Sequence, residues 1–242
     1  MKMRGWINDN IKIIDWDDIY SKWIKMQKYH NPWRDEQIKT VVKAIKALPF
    51  KQIKVIDLCC GPGTLSEALL KAEKKVKIIG IDADIFLLSI FKNHLNKYSK
   101  RFKLIEADVR KLKINEKVHG VVSLTALHWL SKGSHIKLYK KIYKKLEKGG
   151  VFINADRFKP EHRIKFKTKQ RGDNWTTFWD KLHKEHGIKD KMEEMWKEMG
   201  LFEGTDDGYP VNFFRDAIKK AGFKDFRILF KTGDRIVYIG RK

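Results

Sequence analysis

At 242 residues, with 53 basic side chains against 30 acidic ones and a formal charge of +23, the chain is long enough for one large α/β domain with a core of its own. No apolar run reaches the roughly 18 residues of a membrane helix, and Met1-Lys2-Met3-Arg4-Gly5 does not open a secretory leader, so a soluble, cytoplasmic protein is expected. The two cysteines, Cys59 and Cys60, are adjacent, which argues against a disulfide framework or a zinc cluster and for small buried residues at a turn.

The charge invites a polyanionic partner. Yet 42 of the 53 basic residues are Lys and 11 are Arg, whereas bidentate phosphate and base recognition favours Arg. The lysines are also spread along the chain, as at Lys137, Lys140, Lys141, Lys144, Lys145 and Lys148, a pattern that codon bias alone would produce.

In chain order, Trp16, Ile19, Tyr20, Trp23, Ile24 and Gln27 fall at helical spacing, and Ile38, Val41, Val42, Ile45 and Leu48 repeat it. Asn31-Pro32 separates the two helices. From residue 53, short apolar runs predict strands over 53–58, 76–82, 102–106, 118–124 and 150–155, with helices over 64–73, 84–97 and 134–147 between them. That alternation predicts a parallel sheet with helices on both faces. Residues 157–208 break the rhythm. They are charged and aromatic, carry helical periodicity over 174–186 and 189–199, and read as a lid insertion. A helix over 211–221, a Gly222 stop and apolar runs 223–230 and 234–240 joined by Thr232-Gly233 predict a closing antiparallel hairpin. The expected organisation is an N-terminal helical cover (1–50), a core (51–156), the lid (157–208) and a C-terminal helix and hairpin completing the core (209–242).

The segment that carries most chemistry is Val55-Ile56-Asp57-Leu58-Cys59-Cys60-Gly61-Pro62-Gly63-Thr64-Leu65-Ser66. A strand ending in an acid, a Gly-Pro-Gly turn and a helix start describe a nucleotide-type site, since glycines admit close backbone approach. A second acid, Asp82, ends the next apolar run. A carboxylate about 20 to 25 residues beyond such a turn is suited to ribose hydroxyls. Ser66 stands where a dinucleotide fingerprint has its third glycine, and no Gly-Lys-Ser/Thr of a P-loop is present.

Taken in order, these pieces resemble the class I S-adenosylmethionine (SAM)-dependent methyltransferase superfamily across nearly the whole chain. Val55–Gly63 is similar to its first motif, Ile79–Asp82 to the second, Ile105-Glu106-Ala107-Asp108-Val109 to the third and Val121–Trp129 to the fourth. Leu146–Asn154, Ala221-Gly222-Phe223 and Ile239-Gly240-Arg241-Lys242 complete the series. The resemblance implies a Rossmann-like, seven-stranded, mostly parallel sheet with SAM as cofactor and S-adenosylhomocysteine (SAH) as product. It implies that Asp57, Gly61 and Gly63 lie near the sugar and methionine parts and that Asp82, with Ala83 beside it, binds the ribose. It further implies that Asp108 and Val109 meet adenine, and that Ser123 and Thr125 lie near the methionine end. A carboxylate ending a strand is also a common helix cap; Asp84 reads as the cap of the helix after it.

Methyl transfer is an in-line displacement that needs a base only when the nucleophile carries a proton. The Asn/Asp-Pro-Pro-Tyr/Phe pattern of amino-group methylators and a Pro-Cys nucleophile are both absent. Ala126-Leu127-His128-Trp129 resembles small-acid methyltransferases, and Asn154-Ala155-Asp156 followed by an aromatic insertion resembles lid-bearing small-molecule enzymes. This implies a small-molecule acceptor, a carboxylic acid among the candidates, with His128 as base and Asp156 as the second catalytic residue. Substrate contacts are expected from Tyr20, Trp33, Arg34, Trp129, Arg157 and Trp175, with Arg34 or Arg157 on a carboxylate. The alternatives are an RNA methyltransferase, supported by the charge, and a non-catalytic SAM-binding partner subunit. A monomer or a homodimer fits either use.

Overall fold

The computed structural model describes residues 15–113, 115–160 and 208–242. Helix α1 (Trp16–His30) starts at Asp15, whose carboxylate accepts from the Asp17 and Asp18 N–H groups, and helix α2 (Arg34–Lys46) follows after Asn31-Pro32. Then come β1 (Ile53–Leu58), α3 (Thr64–Ala72), β2 (Val76–Asp82), α4 (Ile85–His94), β3 (Phe102–Glu106) and β4 (Val118–Leu124). Helix α5 (Lys132–Lys145), β5 (Leu146–Arg157), α6 (Val211–Ala221), β6 (Asp225–Thr232) and β7 (Arg235–Arg241) complete the described chain. No described helix is long and apolar enough to cross a membrane.

The strands form one sheet in the order β3-β2-β1-β4-β5-β7-β6. The first five run parallel; β7 pairs antiparallel with both β5 and β6. The α/β class, the seven strands and the closing hairpin are as the sequence predicts. Strand order reverses between β1 and β4, and in sheets of this kind ligands bind outside the carboxyl ends of the strands at that reversal.

Alternation along β1 explains how both faces are covered. Ile53 and Val55 point to a cluster with Val41, Ile45, Leu65, Leu69 and Phe91 of α2, α3 and α4. Ile56 and Leu58 point the other way, to a cluster with Tyr139, Ile142, Phe214 and Ile218 of α5 and α6. A strand buried on both sides reads as a near-continuous apolar run, which is why β1 was legible. Helix α1 packs outside α4, with Ile19, Tyr20, Trp23 and Met26 against Phe86 and Ile90. Tyr20 also donates to Glu67 Oε2 at 2.7 Å, tying this helix to α3.

Some boundaries differ from expectation. β5 begins at Leu146, pairing with Val118 across a register shift, so it starts four residues before the predicted 150. Helix α5 begins at Lys132 because the Ser131 hydroxyl caps it by accepting from the Ser134 N–H (3.2 Å). Helix α4 stops at His94, and a 3-10 turn over Asn96–Arg101 carries the chain into β3. The helices predicted over 174–186 and 189–199 lie outside the described residues.

Candidate active site

At the end of β1 the chain turns through Cys59, Gly61 and Gly63, with φ of 52°, 53° and 89°. The turn is pinned by the Cys60 N–H donating to the Ile81 carbonyl and the Gly63 N–H to the Cys60 carbonyl, both at 3.0 Å. The two glycines serve different ends. A Cβ on Gly63 would stand 2.5 Å from the Phe91 ring, so this glycine lets α4 close on the turn. A Cβ on Gly61 would meet nothing nearer than 3.9 Å; its requirement is the positive φ that aims its N–H.

That N–H donates to Asp82 Oδ2 at 2.7 Å, and the Asp84 N–H donates to Oδ1 at 3.0 Å. Burial holds the Asp82 carboxyl above the ordinary range, opposed by these backbone hydrogen bonds. A carboxylate offers about four acceptor positions, so Asp82 keeps capacity for a vicinal diol. Asp84 caps α4 as expected, accepting from the Phe86 and Leu87 N–H groups at 2.9 and 3.1 Å.

A cleft of about 150 Å³ opens at the carboxyl ends of β2, β3 and β4. Asp82, Ala83, Asp108 and Val109 all line it, as does Trp129, with Ala107, Ala126 and Leu130 supplying apolar wall and Cys59 its floor. An apolar slot lined by two carboxylates, Asp82 and Asp108, suits a ring joined to a sugar. Asp108 is gripped by Arg110, whose Nε lies 3.0 and 2.9 Å from its two oxygens and whose Nη2 lies 2.7 Å from Oδ2. Burial pushes the Asp108 carboxyl up, but the Arg110 hydrogen bonds prevail and hold it below the ordinary range. Burial raises both cysteine thiols well above their usual value, so Cys59 and Cys60 behave as small apolar groups.

Asp57, Ser123 and Thr125 lie behind the cleft. Asp57 is buried and accepts from Ser66 Oγ at 2.7 Å; burial pushes its carboxyl up to about 7. The Ser123 hydroxyl donates to the Leu58 carbonyl at 3.0 Å, locking β4 to β1. Thr125 has φ 55°, and its N–H donates to the Ala155 carbonyl at 2.7 Å. A β-branched residue in the left-handed region costs roughly 1 to 3 kcal/mol, a strain typical of functional turns.

Beside this turn His128 and Asp156 form a buried pair, Nδ1 to Oδ1 at 2.6 Å. The His128 N–H donates to Asp156 Oδ2 at 3.0 Å, the Arg157 N–H to Oδ1 at 2.8 Å and Asn154 Nδ2 to Oδ2 at 3.4 Å. Burial pushes Asp156 up, yet His128 wins and its carboxyl sits below the ordinary range. An ionised Asp156 accepts the Nδ1 proton, which leaves Nε2 as the basic nitrogen.

The expected substrate residues are scattered. Tyr20 is spent on Glu67, Trp33 is 44 % exposed, and Arg34 is 6 % exposed. Arg157 ends β5 beside Asp156, and Trp175 lies outside the described residues. Three further polar residues, absent from the sequence-based expectation, lie beside these groups. Gln37 donates from α2 to the Asp156 and Ile236 carbonyls at 3.3 and 3.2 Å. Arg110 covers Asp108, and Arg235 is buried at the start of β7. Only Arg110 left a signal, a cation two residues from an acid.

Residues 55–150 match the family model described as a methyltransferase domain. A carboxy-S-adenosyl-L-methionine synthase from Nautilia profundicola is 23% identical over 212 residues, covering 87% of this chain and 86% of that protein. Human N-acetylserotonin methyltransferase, solved in complex with SAM, aligns with a TM-score of 0.59 and 20% identity over 90% of this chain and 54% of that one. An O-methyltransferase family protein from Burkholderia thailandensis aligns with a TM-score of 0.58 and 14% identity over 87% and 58%. The chain thus spans little more than half the length of these solved chains, and at such identity the likeness is one of fold. Sequence match and strand order agree: residues 55–150 are a methyltransferase domain, and the sheet has the Rossmann-like class I fold of the SAM-dependent methyltransferases.

Proposed function

We propose that the protein transfers the methyl group of SAM to a small-molecule acceptor, with His128 as the base and Asp156 as the residue that fixes its tautomer. The buried His128–Asp156 pair beside the cleft carries this reading. SAM supplies a methyl group already activated on a sulfonium. The chain's own part is to hold the ribose at Asp82 and Ala83 and the adenine at Asp108 and Val109. It also keeps water from the acceptor and accepts its proton at His128 Nε2. We assign α1 and α2 to a cover over the site. A small acceptor is favoured over RNA because, among the described residues, Arg110 is the one cation lining the cleft, and it grips Asp108.

The relative from Nautilia profundicola supports a second reading, carboxylation of SAM itself, in which the methyl carbon gives up a proton and takes a carboxyl group from a carboxyl donor in the extract, because that relative matches over most of both chains. One assay separates the two: methyl-labelled SAM incubated with host extract and split into small-molecule, RNA, protein and cofactor fractions. Label on a new small molecule with release of SAH supports methyl transfer. Label retained on a heavier SAM supports carboxylation. Label in RNA moves the charge to the centre of the account, and label nowhere, with SAM bound, points to a non-catalytic binding partner.

A further inference from the structure

Arg34 is a buried cation that no described side chain pairs. Its guanidinium makes no hydrogen bond or ion pair with any described residue, and its Nε is sealed from solvent without a partner. Burial lowers its pKa to about 10, which still leaves it charged at neutral pH. An unpaired buried charge costs several kcal/mol and persists where function requires it. Its charged neighbours are the Tyr20 phenol, Arg235, Asp35 and Asp57. None of them forms an ion pair with it. Tyr20 donates to Glu67, Arg235 has the same sign, Asp57, lifted to about 7 by burial, is only partly ionised at neutral pH and acts from a distance, and Asp35 pairs with Lys28 at 3.0 Å.

Its position is fixed by the next turn of α2. Residues three apart share a helix face, and Gln37 donates to the carbonyls of Asp156, near the end of β5, and Ile236, near the start of β7. The same face therefore sets Arg34 over the carboxyl edge of the sheet, within electrostatic reach of Asp57 near the end of β1 and Arg235 at the start of β7. Asn31 holds that turn in place, donating from Nδ2 to Gln37 Oε1 at 2.8 Å and accepting the Arg34 N–H on its carbonyl at 3.1 Å.

We propose that Arg34 binds a ligand carboxylate at this edge, its planar fork suiting two parallel hydrogen bonds. The carboxylate belongs either to the amino-acid part of the cofactor or to the acceptor, and the inference rests on the SAM-binding reading above. The test compares wild type with Arg34→Met, which keeps length and bulk without charge. Calorimetry is run with SAH, with methylthioadenosine, which lacks the carboxylate, and with malonate added to SAH-saturated protein.

SAH weakened at least tenfold with methylthioadenosine unchanged places the cofactor carboxylate on Arg34. Unchanged SAH affinity with at least tenfold loss of malonate binding places the acceptor carboxylate there. In both cases the ligand-free variant melts no lower than wild type, since Met keeps the packing and no hydrogen bond or ion pair to a described residue is lost. The proposal is overturned if all ligands bind both proteins alike, if all weaken equally, or if the free variant is clearly less stable. Failure of wild type to bind methylthioadenosine would overturn the cofactor reading instead.

Discussion

Replacing Asp57 with Asn should stabilise the ligand-free protein, and only at neutral to alkaline pH. The carboxyl is buried beneath the cofactor turn, and burial lifts it from 3.8 to about 7. Between those values the unfolded chain has released the proton while the folded chain retains it. The contribution of this group is fully present below pH 3.8 and is lost progressively up to about pH 7. About three units at 1.36 kcal/mol each give a ceiling of about 4 kcal/mol, of which roughly half is a realistic expectation after relaxation. Asparagine still accepts the Ser66 hydroxyl through its carbonyl and does not titrate.

Urea unfolding of both proteins from about pH 4 to about pH 8 measures the difference. Asp57→Asn should be about 2 kcal/mol more stable at the alkaline end, and the gap should close toward pH 4. A variant less stable than wild type at pH 8 would show the opposite, that Asp57 is ionised and neutralises Arg34, so that removing it strands a buried cation.

Other outcomes follow from the same geometry. His128→Asn and Asp156→Asn should each lower kcat by about 10² to 10⁴ with SAM affinity held within a few-fold, as steady-state rates and calorimetry will read; an equal loss in both quantities argues for a structural pair. Gly63→Ala should cost about 3 kcal/mol in urea unfolding, because a Cβ would lie 2.5 Å from Phe91 at a φ of 89°. A loss under about 1 kcal/mol would show that α4 yields freely.

What could be read in the sequence was what local chemistry fixes. Strands β1 to β4 match their predicted bounds: β1, β2 and β4 are apolar runs buried on both faces and closed by turn residues, and β3 is a short half-exposed edge strand. Asp84 was recognisable as a cap, and the cleft gathers Asp82, Ala83, Asp108 and Val109 as the resemblance implied. The start of β5 was hidden because Gly149-Gly150 reads as a turn, whereas the strand runs through it from Leu146.

Trp33 and Arg34 invert the usual expectation. The indole is 44 % exposed and the guanidinium 6 %, since the angle at which α2 leaves Asn31-Pro32 turns Arg34 toward the sheet edge. Gln37 and Arg235 were illegible for the same reason. Polar residues on an amphipathic element read as solvated unless their tertiary partners, here the ends of β5 and β7, are known.

If the reading of the cleft is right, SAM lies across the carboxyl ends of the strands with its ribose on Asp82. Calorimetric titration of SAM into wild type and Asp82→Ala tests it most directly. Saturable binding to the wild type, weakened at least tenfold in the variant, is the predicted result, since a charged acceptor of two hydroxyls is worth about 1.5 to 3 kcal/mol. Equal affinity in the two proteins would contradict the claim.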